Sequence, residues 1–251
     1  MKAIILAAGS SSRLGNITKN MPKGLIEING KSIIQRQIEL YRKNGINDII
    51  IITGPNSEQF NFDNVTYIQD KNFQNHEVLG SLLVAQNFMI DGFIMTYSDI
   101  LYDESILLSI LNSNNDMLDI AVDLQWEKKY QNRTQHPISQ ADHVLIENNN
   151  ILKIKKNLKK ENSNQSLAEF LGIMKCSKNG ANELINIFLD LNETHIGKFQ
   201  NAPSFKKAYL TDILQELINR QVRVSPIFIQ GNWLEIDTPQ DLDNAKKIFL
   251  D

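Results

Sequence analysis

Two cations and a small polar loop near the start of the chain have the composition of a phosphate-binding site. The loop follows an apolar run at residues 3–8, opens with Gly9 and Ser10, and contains Arg13, while Lys23 lies a short distance beyond it. Glycine and serine allow backbone N–H groups to approach an anion closely, and a helix that begins after them adds a partial positive charge. The stretch therefore predicts a site for phosphate, and specifically for polyphosphate.

The pattern of apolar segments predicts the fold that positions this loop. Strand–helix–strand units recur through the first half of the chain, which is typical of a parallel, right-handed α/β sheet. In such sheets ligands bind outside the carboxyl ends of the strands, where the loop after residue 8 belongs. The strands predicted in this half are 3–8, 24–28, 48–53, 65–69, 92–97 and 118–122, and the helices are 32–43, 79–87 and 103–111.

The regular alternation stops after Leu124. Residues 126–143 are polar and irregular, and 144–146 with 151–155 are typical of a hairpin that turns at three consecutive asparagines. No linker or repeat divides the chain, so we predict one domain spanning 1–251, with insertions at about 125–165 and 195–210 that shape an acceptor site. The remaining predicted strands are 170–175 and 222–229, and the remaining helices are 182–191, 210–220 and 241–249.

The composition argues against several classes of protein. The 251 residues carry a formal net charge of −3, whereas nucleic-acid-binding domains are usually basic. A single cysteine rules out an intramolecular disulfide and is typical of a reducing compartment. The apolar run at 3–8 is far shorter than a secretory signal core or the roughly 20 residues of a membrane helix. We therefore expect a cytoplasmic protein without nucleic-acid or membrane partners, and leave open whether it forms a homodimer.

Three motifs resemble the nucleotidyltransferases that make sugar and choline nucleotides. The segment 6–9 (LAAG), followed by Arg13 and Lys23, resembles the N-terminal signature of that family. Residues 96–99 (TYSD) and 231–238 (GNWLEIDT) are similar to two further family segments, and the similarity extends over nearly the whole chain. The resemblance implies a Rossmann-like, mostly parallel sheet flanked by helices, of the nucleotide-diphospho-sugar transferase type.

The middle of the chain is most similar to cytidylyltransferases that activate phosphonates. The similar segments are 130–142 (YQNRTQHPISQAD), 169–172 (EFLG) and 208–212 (AYLTD). This resemblance implies transfer of CMP from CTP to a small phosphonate, such as 2-aminoethylphosphonate, with release of pyrophosphate. A hydroxyethylphosphonate, phosphocholine and a sugar 1-phosphate remain alternative acceptors. A non-catalytic nucleotide-binding module is a further alternative, although the loop lacks the G-x-G-x-x-G dinucleotide fingerprint.

The resemblance also implies which residues hold the nucleotide. Arg13 is a fork-shaped donor suited to the β- and γ-phosphates, and Lys23 is a point charge suited to the α-phosphate, where negative charge builds. The alternative for both is a solvated surface charge. The base would be read at a helix start that contains Gly80 and Ser81, for which ordinary helix packing is the alternative. The predicted nucleotide-binding residues are Leu6, Ala7, Ala8, Gly9, Ser10, Arg13, Lys23, Asn75, Gly80, Ser81 and Ser98.

Asp99 and Asp237 are the predicted Mg²⁺ ligands. Magnesium binds one or two carboxylates together with substrate phosphates in sites of this kind. Asp99 follows a predicted strand at the same sheet edge as the Gly9 loop. A helix cap is the alternative for each aspartate, although Asp103 is better placed to cap the helix that follows Asp99. Glu235 is interpreted as a neighbour of the metal and not as a ligand.

Binding of the acceptor is assigned to residues of the irregular insertion and to three acidic residues. Arg133 and His136 are candidates to hold its phosphonate, because arginine grips such groups with two hydrogen bonds. Lys156 is a further candidate, with a solvated basic face as the alternative. An ammonium group on the acceptor would face Asp142, Glu169 or Asp212, each of which is explained almost as well by structural capping. Trp126, Tyr130 and Trp233 are candidates for an aromatic wall around that cation, with ordinary core packing as the commoner interpretation.

Overall fold

A nine-stranded mixed sheet with helices on both faces organises the protein. The computed structural model describes residues 1–9, 14–15, 18 and 21–250. The strands are β1 (Lys2–Ala7), β2 (Glu27–Ile28), β3 (Lys31–Ser32), β4 (Ile49–Thr53), β5 (Thr66–Gln69), β6 (Phe93–Tyr97), β7 (Ile100–Tyr102), β8 (Leu118–Asp123), β9 (Asp142–Glu147), β10 (Asn150–Lys156), β11 (Gln165–Cys176), β12 (Val224–Phe228) and β13 (Trp233–Glu235). The helices are α1 (Ile33–Lys43), α2 (Val78–Leu83), α3 (Gln86–Met89), α4 (Glu104–Leu111), α5 (Lys178–Thr194), α6 (Leu210–Asn219) and α7 (Pro239–Ile248).

The sheet is parallel around its N-terminal strand and antiparallel around β11. Its order is β10-β9-β11-β6-β1-β4-β5, and β8 joins it by pairing with β11 and with β12. Strand β1 pairs in parallel with β4 and β6, whereas β11 runs antiparallel to β6, β8 and β9. Only β10 and β11 therefore oppose the common strand direction within this sheet. Two short antiparallel pairs, β7 with β13 and β2 with β3, lie outside it.

Alternating side chains of the central strands supply two separate hydrophobic cores. Ile4 and Ile50 belong to the cluster that packs under α2, α3, α5 and α6, whereas Ile5 and Ile51 belong to the cluster under α1 and α4. Successive side chains of a strand point to opposite faces, so a strand covered on both sides is apolar throughout. All residues of β4 are buried, as this argument requires. A third cluster packs α7 against β2 and β13.

The predicted α/β sheet flanked by helices is confirmed, and the differences concern short or antiparallel elements. Strands β7 and β13 were not predicted, because three residues are too few to show a hydrophobic period. The predicted strand 170–175 is part of the longer β11, whose antiparallel pairing no local pattern reveals. That the chain forms one domain with two insertions stays a prediction. No helix among the described residues is both long enough and apolar enough to cross a membrane.

Candidate active site

The pairing of β7 with β13 brings Asp99 and Asp237 together from distant parts of the chain. Glu235 pairs with Ile100 in this antiparallel ladder, so the residue before β7 lies opposite the residues after β13. The backbone N–H of Ile236 donates to the carbonyl of Asp99 at 2.9 Å and fixes this alignment. On the other side, the N–H of Ser98 donates to the carbonyl of Leu6 at the end of β1. Both aspartates therefore lie at the carboxyl edge of the parallel strands.

Lys23 lies between the two carboxylates. Its Nζ donates to Asp99 Oδ2 at 2.7 Å and also to Asp237 Oδ1. The lysine begins a short 3₁₀ turn, Lys23–Leu25, after Pro22. The next residue, Gly24, is needed for close approach, because a Cβ there would lie 2.5 Å from Ile34 Cδ1 and 3.0 Å from the Cβ of Ser98.

The carboxylates keep Lys23 charged despite its burial. Burial alone would lower its pKa, but the charges of Asp99, Asp237 and Glu235 outweigh burial and raise that pKa above its ordinary value. The pKa of Glu235 is raised well above its usual range by burial and by the nearby charges of Asp237 and Asp99. The site therefore concentrates negative charge around one permanent ammonium group, an arrangement suited to cationic ligands or to a cation bound with an anion.

A cavity of about 750 Å³ opens over these residues. Of the predicted site residues, those that line it are Leu6, Ala7, Ala8, Gly9, Lys23, Ser81, Ser98, Asp99, His136, Asp142, Lys156, Asp212 and Asp237. Four others, Asn75, Gly80, Arg133 and Glu169, are not among its lining residues. Ser10 and Arg13 lie outside the described residues. The cavity thus collects both the predicted nucleotide end and most of the predicted acceptor end.

Arg133 binds a buried carboxylate instead of facing the cavity. Its Nε donates to Asp241 Oδ1 at 2.6 Å and its Nη2 donates to Asp241 Oδ2 at 3.0 Å and to the carbonyl of Glu235 at 3.1 Å. The side chain of Arg133 is 3% exposed and that of Asp241 is fully buried. Two nitrogens of the guanidinium are thus engaged by protein groups, and Arg133 is not among the residues that line the cavity. Its assignment as a ligand of the acceptor stays a prediction.

Asp241 links this arginine to the backbone beside Asp237. Its Oδ2 accepts hydrogen bonds from the N–H groups of Asp237 and Thr238 at 3.1 and 2.9 Å. Thr238, and not Asp237, caps α7, and the side chain of Asp237 pairs with Lys23 instead. The pKa of Asp241 is lowered, because the hydrogen bonds and charge of Arg133 outweigh burial, which alone would raise it. The sequence held a signal for this role, since threonine followed three residues later by an acid marks a capping box.

His136 and Glu235 approach Asp237 from the side opposite Lys23. Nδ1 of His136 lies 3.1 Å from Asp237 Oδ2, and its Nε2 lies 4.0 Å from Glu235 Oε2. The imidazole side chain is 3% exposed, whereas that of Glu235 is 31% exposed. His136 was predicted to hold the acceptor and Glu235 to be a neighbour of the metal. Both side chains lie beside Asp237, and the two roles stay predictions.

The far end of the cavity combines two aspartates with a lysine. Asp142 lies opposite Lys156 in the β9–β10 ladder, and Lys156 Nζ donates to Gln140 Oε1 at 2.9 Å. Burial raises the pKa of Asp142 to about 6; the charge of Lys156 opposes this shift and that of Asp212 adds to it. Asp212 accepts hydrogen bonds from the backbone N–H groups of Tyr209 and Asn201, which is the structural capping role considered as its alternative. Its side chain also lines the cavity.

Ser81 belongs to a buried polar cluster at the other end of the cavity. Its Oγ donates to Asp70 Oδ2 at 2.8 Å, and His76 Nε2 lies 3.2 Å from Asp70 Oδ1. Gly80 has a packing role, because a Cβ at this position would overlap the ring of His76. Asp70 was not singled out from the sequence, since a lone aspartate after a strand carries no motif.

Glu169 and the three aromatic residues proposed as a wall lie away from the cavity. Tyr130 Oη donates to Glu169 Oε1 at 2.6 Å, and both residues are buried. Trp126 packs edge-on against Tyr130, and Trp233 Nε1 donates to Asp123 at 2.8 Å. None of these four lines the cavity. The aromatic side chains that do line it are Phe73, Tyr97 and Tyr209.

Comparison with known proteins identifies the family. Residues 3–169 match the profile of the MobA-like NTP transferase domain. This chain belongs to that family. It is a nucleotidyltransferase, which confirms the enzyme class predicted from the sequence.

Individual relatives extend the similarity beyond residue 169. The chain is 29% identical to CTP:phosphoglutamine cytidylyltransferase of Campylobacter jejuni over 97% of its own length and 98% of that protein. It is 55% identical to choline-phosphate cytidylyltransferase of Streptococcus pneumoniae over a segment that covers 25% of this chain and 27% of that one. The solved structure of CTP:phosphocholine cytidylyltransferase from Streptococcus pneumoniae superposes with a TM-score of 0.72 at 22% identity, covering 98% of each chain. That structure confirms the predicted nucleotide-diphospho-sugar transferase type of fold.

Proposed function

We propose that this nucleotidyltransferase transfers CMP from CTP to a small acceptor that carries a phosphonate or phosphate at one end and an amine at the other. The observation that carries the proposal is the position of Lys23, held between Asp99 and Asp237 on the cavity wall at the carboxyl edge of the sheet. The choice of CTP is supported by two relatives, CTP:phosphoglutamine cytidylyltransferase of Campylobacter jejuni and choline-phosphate cytidylyltransferase of Streptococcus pneumoniae.

The chemistry is a displacement at the α-phosphorus of CTP. An acceptor oxygen forms a new P–O bond, the bond from the α-phosphorus to the oxygen shared with the β-phosphate breaks, and pyrophosphate leaves with that electron pair. Reactions of this kind depend on positioning and charge neutralisation more than on covalent help from the protein. Because Lys23 keeps its charge, its role is to stabilise the negative charge that grows on the α-phosphate oxygens.

The residues present are suited to Mg²⁺. Asp99 Oδ1 is buried and has no hydrogen-bond partner among the described residues, and Asp237 offers a second carboxylate beside it. Carboxylate oxygens are the ligands that magnesium prefers. Asp99 and Asp237 would hold the ion, which when bound supplies charge neutralisation to the triphosphate. Lys23 would then move from pairing with both aspartates to pairing with the α-phosphate.

The acceptor end favours a primary amine such as that of 2-aminoethylphosphonate. Asp142 and Asp212 provide negative charge there, and Lys156 provides a cation for the phosphonate or for another anionic group. A quaternary ammonium such as choline is usually held by an aromatic cage. Trp126 and Trp233 are buried outside the cavity, but Phe73, Tyr97 and Tyr209 line it and offer aromatic faces, so phosphocholine is the second candidate.

A panel of acceptors and nucleotides tests this proposal by pyrophosphate release. The acceptors are 2-aminoethylphosphonate, phosphocholine, phosphoglutamine and glucose-1-phosphate, each with CTP, UTP and dTTP. We expect turnover with CTP and the highest kcat/KM with the primary amine. A sugar phosphate with UTP as the fastest pair would overturn both the base and the acceptor assignment.

Asp142 gives that experiment a pH signature. Its carboxylate loses its charge as the pH falls through about 6, whereas the acceptor amine stays protonated. The phosphate or phosphonate of the acceptor also titrates near pH 6, but it does so equally with every variant, so the proteins are compared with one another. The acceptor KM of Asp142→Asn divided by that of the wild type should exceed 1 at pH 7.5 and should fall towards 1 below pH 6, while the exposed control Asp190→Asn should give a ratio of about 1 throughout. An Asp142→Asn ratio that stays constant across this range would exclude Asp142 from amine binding.

A further inference from the structure

The hydroxyl group of Ser81 is held by a buried carboxylate on the wall of the cavity. Its Oγ donates to Asp70 Oδ2 at 2.8 Å, and the side chain of Asp70 is fully buried. Ser81 is among the lining residues of the cavity, whereas Asp70 is not. A ligand in the cavity can therefore reach the serine, and the aspartate lies behind it.

The surroundings of Asp70 determine the direction of this hydrogen bond. Asp70 follows β5, and its Oδ1 accepts from the backbone N–H of Asn72 at 3.0 Å and faces His76 Nε2 at 3.2 Å. An ionised carboxylate only accepts hydrogen bonds, whereas a serine hydroxyl has one proton and two acceptor lone pairs. The proton of Ser81 is therefore committed to Asp70. What the serine oxygen still offers to a ligand is an acceptor.

An acceptor on the cavity wall can distinguish the two common pyrimidines. Cytosine carries a 4-amino group, which donates, at the position where uracil and thymine carry a 4-oxo group, which accepts. A serine oxygen that cannot donate forms a hydrogen bond with the amino group but meets the oxo group as acceptor against acceptor. A site built to bond one polar group discriminates strongly, because the wrong ligand leaves buried polar groups unpaired.

We propose that Ser81 selects cytosine by accepting a hydrogen bond from its 4-amino group, and that Asp70 is the positioning residue that makes this serine an acceptor. The inference deepens the proposed function, on which it rests for the presence of a nucleotide in the cavity. Two neighbouring contacts hold the pair in place. The backbone N–H of Ser81 donates to the carbonyl of Glu77 at 3.2 Å, and the absence of a Cβ at Gly80 makes room for the ring of His76.

Equilibrium binding tests the role of Ser81 without an acceptor and without turnover. Three nucleotides are titrated calorimetrically into the full chain with Mg²⁺: CTP, UTP and the triphosphate of 2-pyrimidinone riboside, which lacks the 4-amino group but keeps the ring nitrogen of cytosine. We expect the wild type to bind CTP at least about tenfold more tightly than either of the others. Ser81→Ala should lose most of this preference, because it weakens the binding of CTP and not that of the 2-pyrimidinone nucleotide.

Asp70→Asn tests the positioning role with a result that a merely structural role would not give. The amide keeps the size of the carboxylate, and its oxygen can continue to accept from the N–H of Asn72, which turns the NH₂ group towards Ser81. The serine then accepts from the amide, and its proton becomes available to the cavity. This variant should bind UTP more tightly than the wild type does, and CTP more weakly. An equal loss of affinity for both nucleotides would overturn the positioning role.

Ser113→Ala is the matched control for Ser81→Ala. The hydroxyl of Ser113 also donates to a buried aspartate, Asp119, and neither residue lines the cavity. The control should keep the wild-type order of affinities. Equal affinities of the wild type for the three nucleotides, or a CTP preference that survives Ser81→Ala, would overturn the inference.

Failure of the proposed function is recognised separately. A protein that prefers CTP through Ser81 but releases no pyrophosphate with any acceptor keeps the base assignment and loses the proposed transfer to a phosphonate or phosphate. A protein that releases pyrophosphate from CTP, and whose preference for CTP does not depend on Ser81, keeps the proposed function and loses this inference.

Discussion

Lys23 and Arg133 were predicted to do similar work, and the structure places them in opposite situations. Both were assigned to phosphorus oxyanions, Lys23 to CTP and Arg133 to the acceptor. Lys23 lines the cavity, where Asp99 and Asp237 hold its ammonium group. Arg133 is buried, does not line the cavity, and donates to both carboxylate oxygens of Asp241 and to the carbonyl of Glu235. Lys23 therefore lies where a substrate can reach it, whereas Arg133 links the insertion to the C-terminal helix α7.

The contrast between Lys23 and Arg133 shows which site residues can be placed from the order of strands along the sequence. Lys23 and Asp99 follow from topology, because residues after parallel strands meet at one edge of the sheet. Arg133 lies in an irregular segment, and its partner is 108 residues away in sequence. A buried arginine takes whichever carboxylate is buried with it, and no local pattern reveals that choice.

The largest effect should come from breaking the buried pair. Arg133→Met keeps much of the side-chain volume but leaves the Asp241 carboxylate buried without its counter-ion. We expect a loss of about 3–5 kcal/mol in the free energy of unfolding, measured by urea denaturation. The same change at Arg220, whose pairs with Glu216 and Asp190 are at the surface, should cost no more than about 1 kcal/mol.

The acceptor KM separates the two possible roles of Arg133. Under conditions where the variant is folded, its KM for the acceptor should equal that of the wild type, because the guanidinium does not reach the cavity. An Arg133→Met protein with unchanged stability and a raised acceptor KM would restore Arg133 to the acceptor site.

Removing the other cation should affect turnover. Lys23→Ala should lower kcat by about a hundred- to a thousandfold, since the growing charge on the α-phosphate loses its counter-charge. CTP binding, followed by calorimetry, should be weakened but still detectable. Lys43→Ala is the control: Lys43 also pairs with a carboxylate, Glu104, but its side chain is 67% exposed. Turnover that survives in Lys23→Ala would remove the proposed role of this lysine.

Most of the fold and part of the site could be predicted from the sequence. The strand alternation predicted the α/β fold. The resemblance carried by LAAG and the two later motifs predicted the enzyme class and assigned Lys23, Asp99 and Asp237 to one site. The signal was strong because buried strands are apolar throughout and their ends gather at one edge. The register of β7 with β13 was not predictable, because it depends on pairing between segments more than a hundred residues apart. The same pairing brings Glu235 and Asp237 to the side of Asp99, and the interpretation of Glu235 as a neighbour of the metal stays a prediction.

The insertion was predictable as a region but not residue by residue. Asp142 and Lys156 pair across the β9–β10 hairpin, and both line the cavity as predicted. Glu169 did not, although its strand, β11, also pairs with β9. Alternation along a strand sends neighbouring side chains to opposite faces, and a shift of one residue reverses the assignment. Without the register, an acidic residue in a family motif cannot be assigned to the cavity or to the interior.

Glu169 offers the smallest and most selective test of this contrast. Burial raises its pKa to about 8, the nearby Asp142 and Asp123 add to the shift, and the Tyr130 hydrogen bond opposes it. The folded state therefore holds a proton that the unfolded chain, with a pKa of 4.5, releases earlier. The stability that this proton confers is complete below pH 4.5 and is lost as the pH rises through about 8.

Glu169→Gln keeps an acceptor for Tyr130 but cannot titrate. Between pH 7 and 8.5 the wild type should lose about 1 kcal/mol more unfolding free energy than this variant. Parallel urea midpoints for the two proteins across that range would mean that Glu169 is already ionised and that water or a ligand reaches its carboxylate, which would return it to the acceptor side of the comparison.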